Sequence, residues 1–346
     1  MRRGIQSFLV VAVVVLLPLF WLFRPPTALP ARFDHADCRR IELTDTNTGR
    51  PLTGVEDMAL MSDGDRVILS AADRLALDRH PRDAPEGGIY QIALPRIAGG
   101  EAWATPIVYP SQVEGGLFPH GIALSGDGER LAFVNRRRDG IVTIHGGRLG
   151  PGGLNITATR DDLALCRAND LAFTGEGPMK VRVTLDRGDC GIAWDDLKPS
   201  STSGRVVGLD LARFEPAEAE MAGLAFANGI AGMYVAETRA SRLTHRLDRP
   251  VTLPGGPDNL TFDPFGNLIV ALHPSLMRVA AYRHGYRDNA PSRIVRVGQD
   301  RQFEVLFDDP LGELFSGASV AVYSDGMLLA GSIRDQGVLL CQGAPQ

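Results

Sequence analysis

Six dipeptides carry most of the side chains in this sequence that could do chemistry: Glu56-Asp57, His120-Gly121, Asn169-Asp170, Asn228-Gly229, Asp258-Asn259 and Ala318-Ser319. Each heads the same phrase: polar residues, an alternating apolar strand, a Gly-containing turn and a second apolar strand. Together the heads supply four acids, three amides and a histidine. Carboxylates brought together without a partner repel one another and protonate, so convergence of these heads calls for a cation. An oxygen-rich, sulfur-free set selects a hard ion, and roughly 6–8 flexible oxygen ligands fit Ca²⁺ better than Mg²⁺ or Zn²⁺.

The elements that would bring the heads together are legible as a repeat. In five copies the turn glycine falls eight residues after the head, at Gly64, Gly128, Gly177, Gly266 and Gly326, and the copy at Asn228 has a shortened turn. Successive heads lie about 52 residues apart on average. A period of ~40–50 with several short strands per unit is that of a propeller blade, which has about four strands. With 39 Gly and 23 Pro the chain carries too much turn chemistry for a helical bundle. We therefore expect an all-β chain, a six-bladed β-propeller over 38–346, whose inner strands start at the rim of a central channel. The 36 basic and 41 acidic residues leave a formal net charge of −5 and argue against a nucleic-acid partner.

The first residues read differently. No charged residue occurs from Gly4 to Phe23, with Arg2 and Arg3 before the stretch and Arg24 after it. About 20 apolar residues cross a bilayer, so 1–24 is expected to be a signal anchor or transmembrane helix, with Arg2 and Arg3 cytoplasmic and the remainder extracytoplasmic. A cleaved signal peptide is the alternative and leaves the domain on the same side. Residues 25–37, rich in proline, read as an extended linker. The four cysteines, Cys38, Cys166, Cys190 and Cys341, suit an oxidising compartment and allow three pairings. A Cys38–Cys341 bond would tie the two ends of the domain together and leave Cys166 and Cys190 to form a local one. Metal ligation is the competing use, but no C-x-x-C spacing occurs.

The phrases VEDMAL (Val55–Leu60), PHGI (Pro119–Ile122), NDL (Asn169–Leu171), FANGI (Phe226–Ile230), YVAE (Tyr234–Glu237), DNLTFDP (Asp258–Pro264), HP (His273–Pro274), GASVA (Gly317–Ala321) and the closing LLC (Leu339–Cys341) occur in that order. In this the chain resembles the paraoxonase family, calcium-dependent six-bladed propeller lactonases and arylesterases. The resemblance implies two calcium ions. A catalytic ion would take Glu56, Asn169, Asn228, Asp258 and Asn259; a deeper structural ion would take Asp57, Asp170 and the backbone carbonyl of Ile122. It also implies the Cys38–Cys341 disulfide, and a small-molecule lactone or ester as substrate.

Under that resemblance the calcium polarises the substrate carbonyl and His120 activates the attacking water, with His273 lining the pocket as a substrate contact. One departure is plain. Where the family proposes a second histidine after a Val-Asn pair, this chain reads Val134, Asn135, Arg136, and an arginine cannot relay a proton. Arg136 is then a candidate for binding an acidic substrate group, although Arg136–Arg138 also reads as a solvated charge run. A gluconolactonase-type sugar lactonase and a non-catalytic, calcium-stabilised propeller that binds a partner are the alternative readings.

Overall fold

The computed structural model describes residues 24–188, 190, 200–213 and 215–343. Among these, six antiparallel sheets succeed one another along the chain. In each the copy of the repeated phrase supplies the innermost two strands. The innermost strands are Val55–Leu60, Pro119–Leu124, Ala168–Phe173, Ala227–Ala231, Gly256–Phe262 and Ala318–Ser324, in blades one to six. Second strands such as Arg66–Ala71 and Leu268–His273 are buried on both faces, because each blade is packed between two others, and so read as near-continuous apolar runs. The core is accordingly a series of layers between blades. In one, Met58, Leu69 and Tyr90 of blade one meet Val320, Leu329 and Leu340 of blade six.

The ring closes with a strand from the start of the domain. Blade six runs Ala318–Ser324, Met327–Ser332, Val338–Gln342 and then Cys38–Ile41, with Cys38 directly opposite Cys341. These two cysteines are bonded, and so are Cys166 and Cys190. Blade one gains a fifth strand, Thr44–Asp45, parallel to its outer strand Trp103–Val108.

The turn glycines do what the offset predicts in four copies: Gly64, Gly128, Gly266 and Gly326 adopt φ between 71° and 79°, the left-handed region that glycine enters at little cost. The third copy differs. There Gly175 carries the positive φ of 76°, and Gly177 does not. In the shortened fourth copy Gly232 turns the chain at φ 61°.

Every inner strand slips register at its head. The pairing with the second strand breaks between Val55 and Asp57, Pro119 and Ile122, Ala168 and Leu171, Ala227 and Ile230, Pro257 and Leu260, and Ala318 and Val320. A β-bulge re-aims side chains that strict alternation would send to opposite faces. The bulges fall on the head residues themselves, and this is how successive polar residues come to the axis.

Two short helices stand on the connections between second and third strands. Arg74–Arg79 belongs to blade one, with Asp73 capping it by accepting from the Ala76 amide at 2.9 Å; Leu276–Arg283 belongs to blade five. They meet where the Arg79 guanidinium donates to the His284 carbonyl at 2.5 Å. Tyr282 and Arg334 fasten the second helix to blade six, the tyrosine hydroxyl donating to Asp335 Oδ1 and Arg334 to the Tyr282 carbonyl. The two helices thereby roof one end of the channel.

No described helix is long and apolar enough to cross a membrane. The anchor expected at 1–24 lies outside the described residues apart from Arg24. The proline-rich stretch after it is extended and lies along blade five. Arg293 donates to the Thr27 carbonyl, the Leu29 amide donates to Asp308, and Phe33 is buried.

Candidate active site

The structure brings the first residues of the heads to a roofed cavity of about 190 Å³. Glu56, His120, Asn169, Asn228 and Asp258 line its floor together with Arg74, Thr238 and His273. Phe226, Leu276, Val279 and Ile333 give it an apolar wall, and Arg283 and His284 stand at its rim. Phe226 holds this place in a left-handed conformation (φ 66°) that a bulky residue rarely adopts.

The polar groups of the floor form one network. Asn228 Nδ2 donates to Asp258 Oδ1 at 2.5 Å and to Thr238 Oγ1 at 3.1 Å, and the Thr238 hydroxyl donates to the Pro257 carbonyl. The other Asp258 oxygen lies 2.9 Å from His273 Nε2. Asn259 donates from Nδ2 to the Glu56 carbonyl, which also accepts from Ser319. Two oxygens are left over: Glu56 Oε2 and Asn259 Oδ1 are buried with no hydrogen-bond partner. Burial pushes the Glu56 carboxyl above its usual range, opposed chiefly by the Arg74 guanidinium, whose Nη1 is 3.5 Å from Oε2.

Arg74 was not singled out in the sequence, yet it organises this corner. It is buried, and its guanidinium donates to the carbonyls of Gly54 and Pro119 and, from Nε, to His120 Nδ1 at 3.1 Å. That bond leaves the imidazole proton on Nε2. Burial, with Arg136, Arg74 and Arg283 nearby, holds the His120 pKa well below the usual histidine value, so the ring is neutral at pH 7. Glu56 Oε1 waits 3.7 Å from the same Nδ1.

The second residues of the heads form a deeper layer. Asp57 accepts from the Met58 amide at 2.8 Å and from the Ile122 amide of blade two at 2.7 Å. Asp170 accepts from the Leu171 amide at 2.7 Å and from the Ile230 amide of blade four at 2.8 Å. Burial raises both carboxyls, Asp57 well above the carboxylate range, with the Asp170 charge adding to it, and Asp170 to about 7. The Ile122 N–H faces Asp57. Blades two and four carry glycine in this layer because a neighbour's backbone passes there. A Cβ on Gly121 would come within 2.5 Å of Asp170, and one on Gly229 within 2.4 Å of the Asp258 carbonyl.

Arg136 is not brought into the cavity. It borders a separate depression beside Cys166 and Cys190, and donates from Nη2 to the Ala168 carbonyl at 3.1 Å. Nor is Arg136–Arg138 a solvated run: Arg137 pairs with Asp139, and Arg138 donates to the carbonyls of Pro81 and Ala84.

The donor set passes the test for a hard cation in the upper layer. Two of the expected calcium ligands, Glu56 and Asn259, present buried oxygens that accept no hydrogen bond among the described residues, with only the Arg74 guanidinium standing 3.5 Å from Glu56 Oε2. In the deeper layer each carboxylate oxygen of Asp57 and Asp170 accepts from an amide, so no oxygen there is left unsatisfied, although each keeps a second lone pair. Among the described residues no three His, Cys, Asp or Glu side chains gather as a metal cluster, which fits a set made up largely of amides.

No family model matches the sequence, and no curated protein matches it. Solved structures do share its shape. The calcium-binding protein regucalcin of Agrobacterium tumefaciens is similar at a TM-score of 0.51 and 12% identity, over 92% of this chain and 96% of that one. A protein solved as a candidate gluconolactonase gives 0.51 at 15% identity, over 93% and 100%. A luciferin-regenerating enzyme gives 0.50 at 14%, over 88% and 95%. At such identities the likeness shows the fold, and the chain is a six-bladed β-propeller of the kind these proteins share.

Proposed function

We propose that the protein is a calcium-dependent hydrolase that opens lactones or cleaves aryl esters, in the manner of the paraoxonase family its sequence resembles. The observation that carries this reading is the pair of unsatisfied buried oxygens, Glu56 Oε2 and Asn259 Oδ1, beside a roofed cavity that His120 also faces. Glu56, Asn169, Asn228, Asp258 and Asn259 would hold a Ca²⁺ there. Bound calcium supplies Lewis acidity toward a carbonyl oxygen, worth several kcal/mol to the transition state. Two structures of the same fold, described as a candidate gluconolactonase and as a calcium-binding protein, support a lactone substrate and calcium in kind. For the second ion that the resemblance implies there is no comparable support.

The rest of the work falls to this chain's own side chains. Phe226, Leu276, Val279 and Ile333 pack against the carbon skeleton and keep water out. While Arg74 donates to Nδ1, His120 presents Nε2–H as a donor. To take a proton from water at Nε2, the ring must carry its proton on Nδ1, and Glu56 Oε1 is the acceptor within reach. Exchange of the Nδ1 partner from Arg74 to Glu56 therefore turns His120 from a donor into a base. The propeller is placed outside the cytoplasm, tethered through 1–24, a reading that the two disulfides support.

The test is hydrolysis of a panel of lactones and aryl esters with calcium, after chelation and after calcium is restored. Activity that disappears and returns supports the reading. A folded, calcium-loaded protein that hydrolyses none of them overturns it.

A further inference from the structure

The rim of the cavity carries a cation that the proposed chemistry does not use. Arg283 ends the roof helix Leu276–Arg283; it is exposed and lines the cavity, and among the described residues no hydrogen bond or ion pair holds its guanidinium. Arg74, the other guanidinium in the cavity, is fully engaged with carbonyls, His120 and Glu56. Further guanidiniums crowd this end. Arg187 and Arg239 lie 5.9 and 5.3 Å from the centre of the Phe226 ring.

The charges lining the cavity are Glu56 and Asp258 against Arg74 and Arg283, so the protein's own groups balance, and a bound divalent ion leaves the site positive. A neutral lactone makes no use of that balance. We infer that the substrate carries a carboxylate next to its ester or lactone group, and that Arg283 is the residue that recognises it. The apolar wall then holds the carbon chain between the carbonyl on the floor and the anion at the rim. Water adds to the carbonyl, the ring C–O bond breaks, and the product is a hydroxy acid bearing two carboxylates. An exposed arginine with no partner can form a bidentate, charge-assisted pair without first losing another.

The inference rests on the hydrolase reading for the reaction, but not for the binding, and the experiment separates them. The full chain would be given γ-butyrolactone and its γ-carboxylate. In parallel, calorimetry with and without chelator would compare binding of 4-hydroxybutyrate and 2-hydroxyglutarate, the two hydrolysis products. We expect the member of each pair that bears the additional carboxylate to be preferred roughly tenfold or more, the worth of one charge-assisted hydrogen bond. That preference should collapse in Arg283→Gln and be partly kept in Arg283→Lys. If neither lactone is hydrolysed but 2-hydroxyglutarate binding depends on Arg283, the hydrolase reading fails and this inference stands. Equal binding and equal turnover of both members overturn it, and so does a preference that survives in Arg283→Gln.

Discussion

Glu56 and Asp57 are adjacent in the chain, sit on the same bulge and are both buried, yet the fold treats them in opposite ways. Asp57 accepts two main-chain amides, one of them from blade two, and Asp170 is held in the same manner between blades three and four. Glu56 has an oxygen that accepts nothing and a guanidinium that stands off at 3.5 Å. An acid satisfied by the backbone of its neighbour latches two blades. An acid left unsatisfied under a roof is held ready for something that arrives from outside. The first layer is architecture and the second is chemistry, separated by a single residue.

The largest effect should come from breaking the latch. Asp57→Ala strands the Met58 and Ile122 amides, at about 1–3 kcal/mol each, and should lower unfolding stability by roughly 2–6 kcal/mol. An unfolding free energy from urea titration lowered by less than about 1 kcal/mol would dissolve the distinction between the layers. A buried polar group in neither layer supplies the contrast. His145 is bonded at both ring nitrogens by Thr143 and Thr159, and burial, with Arg137 nearby, lowers its pKa to about 4. The unfolded ring takes up its proton below about 6.5 while the folded ring does not. Its contribution is therefore complete above that pH and is lost as pH falls toward 4, about 3 kcal/mol in all. His145→Gln should flatten the stability profile in that window; an unchanged profile would refute the assignment.

Glu56→Gln should behave in reverse to Asp57→Ala. Hydrolysis should drop ~100-fold or more for want of the charge that holds the cation, with stability within about 1 kcal/mol of the parent. Kinetics and melting on the same sample decide it, and a variant that melts well below the parent but keeps its turnover would place Glu56 in the wrong layer. The smallest change is Thr238→Val, which removes one acceptor from Asn228 and one donor to Pro257. It should cost about 1 kcal/mol and a few-fold in rate, and a rate equal to the parent's would show that Asn228 needs no such support.

Much of this was legible in the sequence because a propeller repeats its local chemistry. In four of the six copies the glycine eight residues after the head marks a left-handed turn, and the paired polar residues interrupt the strand's alternation where the bulge falls. Gly121 and Gly229 carried a signal that went unread, since a glycine in a polar pair reports a neighbouring backbone. The third copy misled because two glycines are available and Gly175, the nearer to the strand, takes the turn. Arg74 and Arg283 could not be found from pattern. Each sits on a short helix outside the repeat, and its place over the channel is set by contacts between the two helices. Arg136–Arg138 looked solvated by composition, but the carbonyls of Pro81, Ala84 and Ala168 that engage Arg138 and Arg136 are remote in the chain.

The strand that completes blade six has a further consequence, for how the molecule comes into being. Cys38–Ile41 is made at the beginning of the domain and pairs with Val338–Gln342, with 303 residues between the two bonded cysteines. A ribosome delivers the clasp before its catch, so the opening strand waits with its edge unpaired while the rest of the domain is made. Five blades can form from continuous chain in the meantime, but the circle shuts only once Val338–Gln342 has been made. Once Cys38 and Cys341 are joined, the seam is the one place where two distant parts of the chain are covalently bound. A cut in any loop between them then nicks the ring without opening it there.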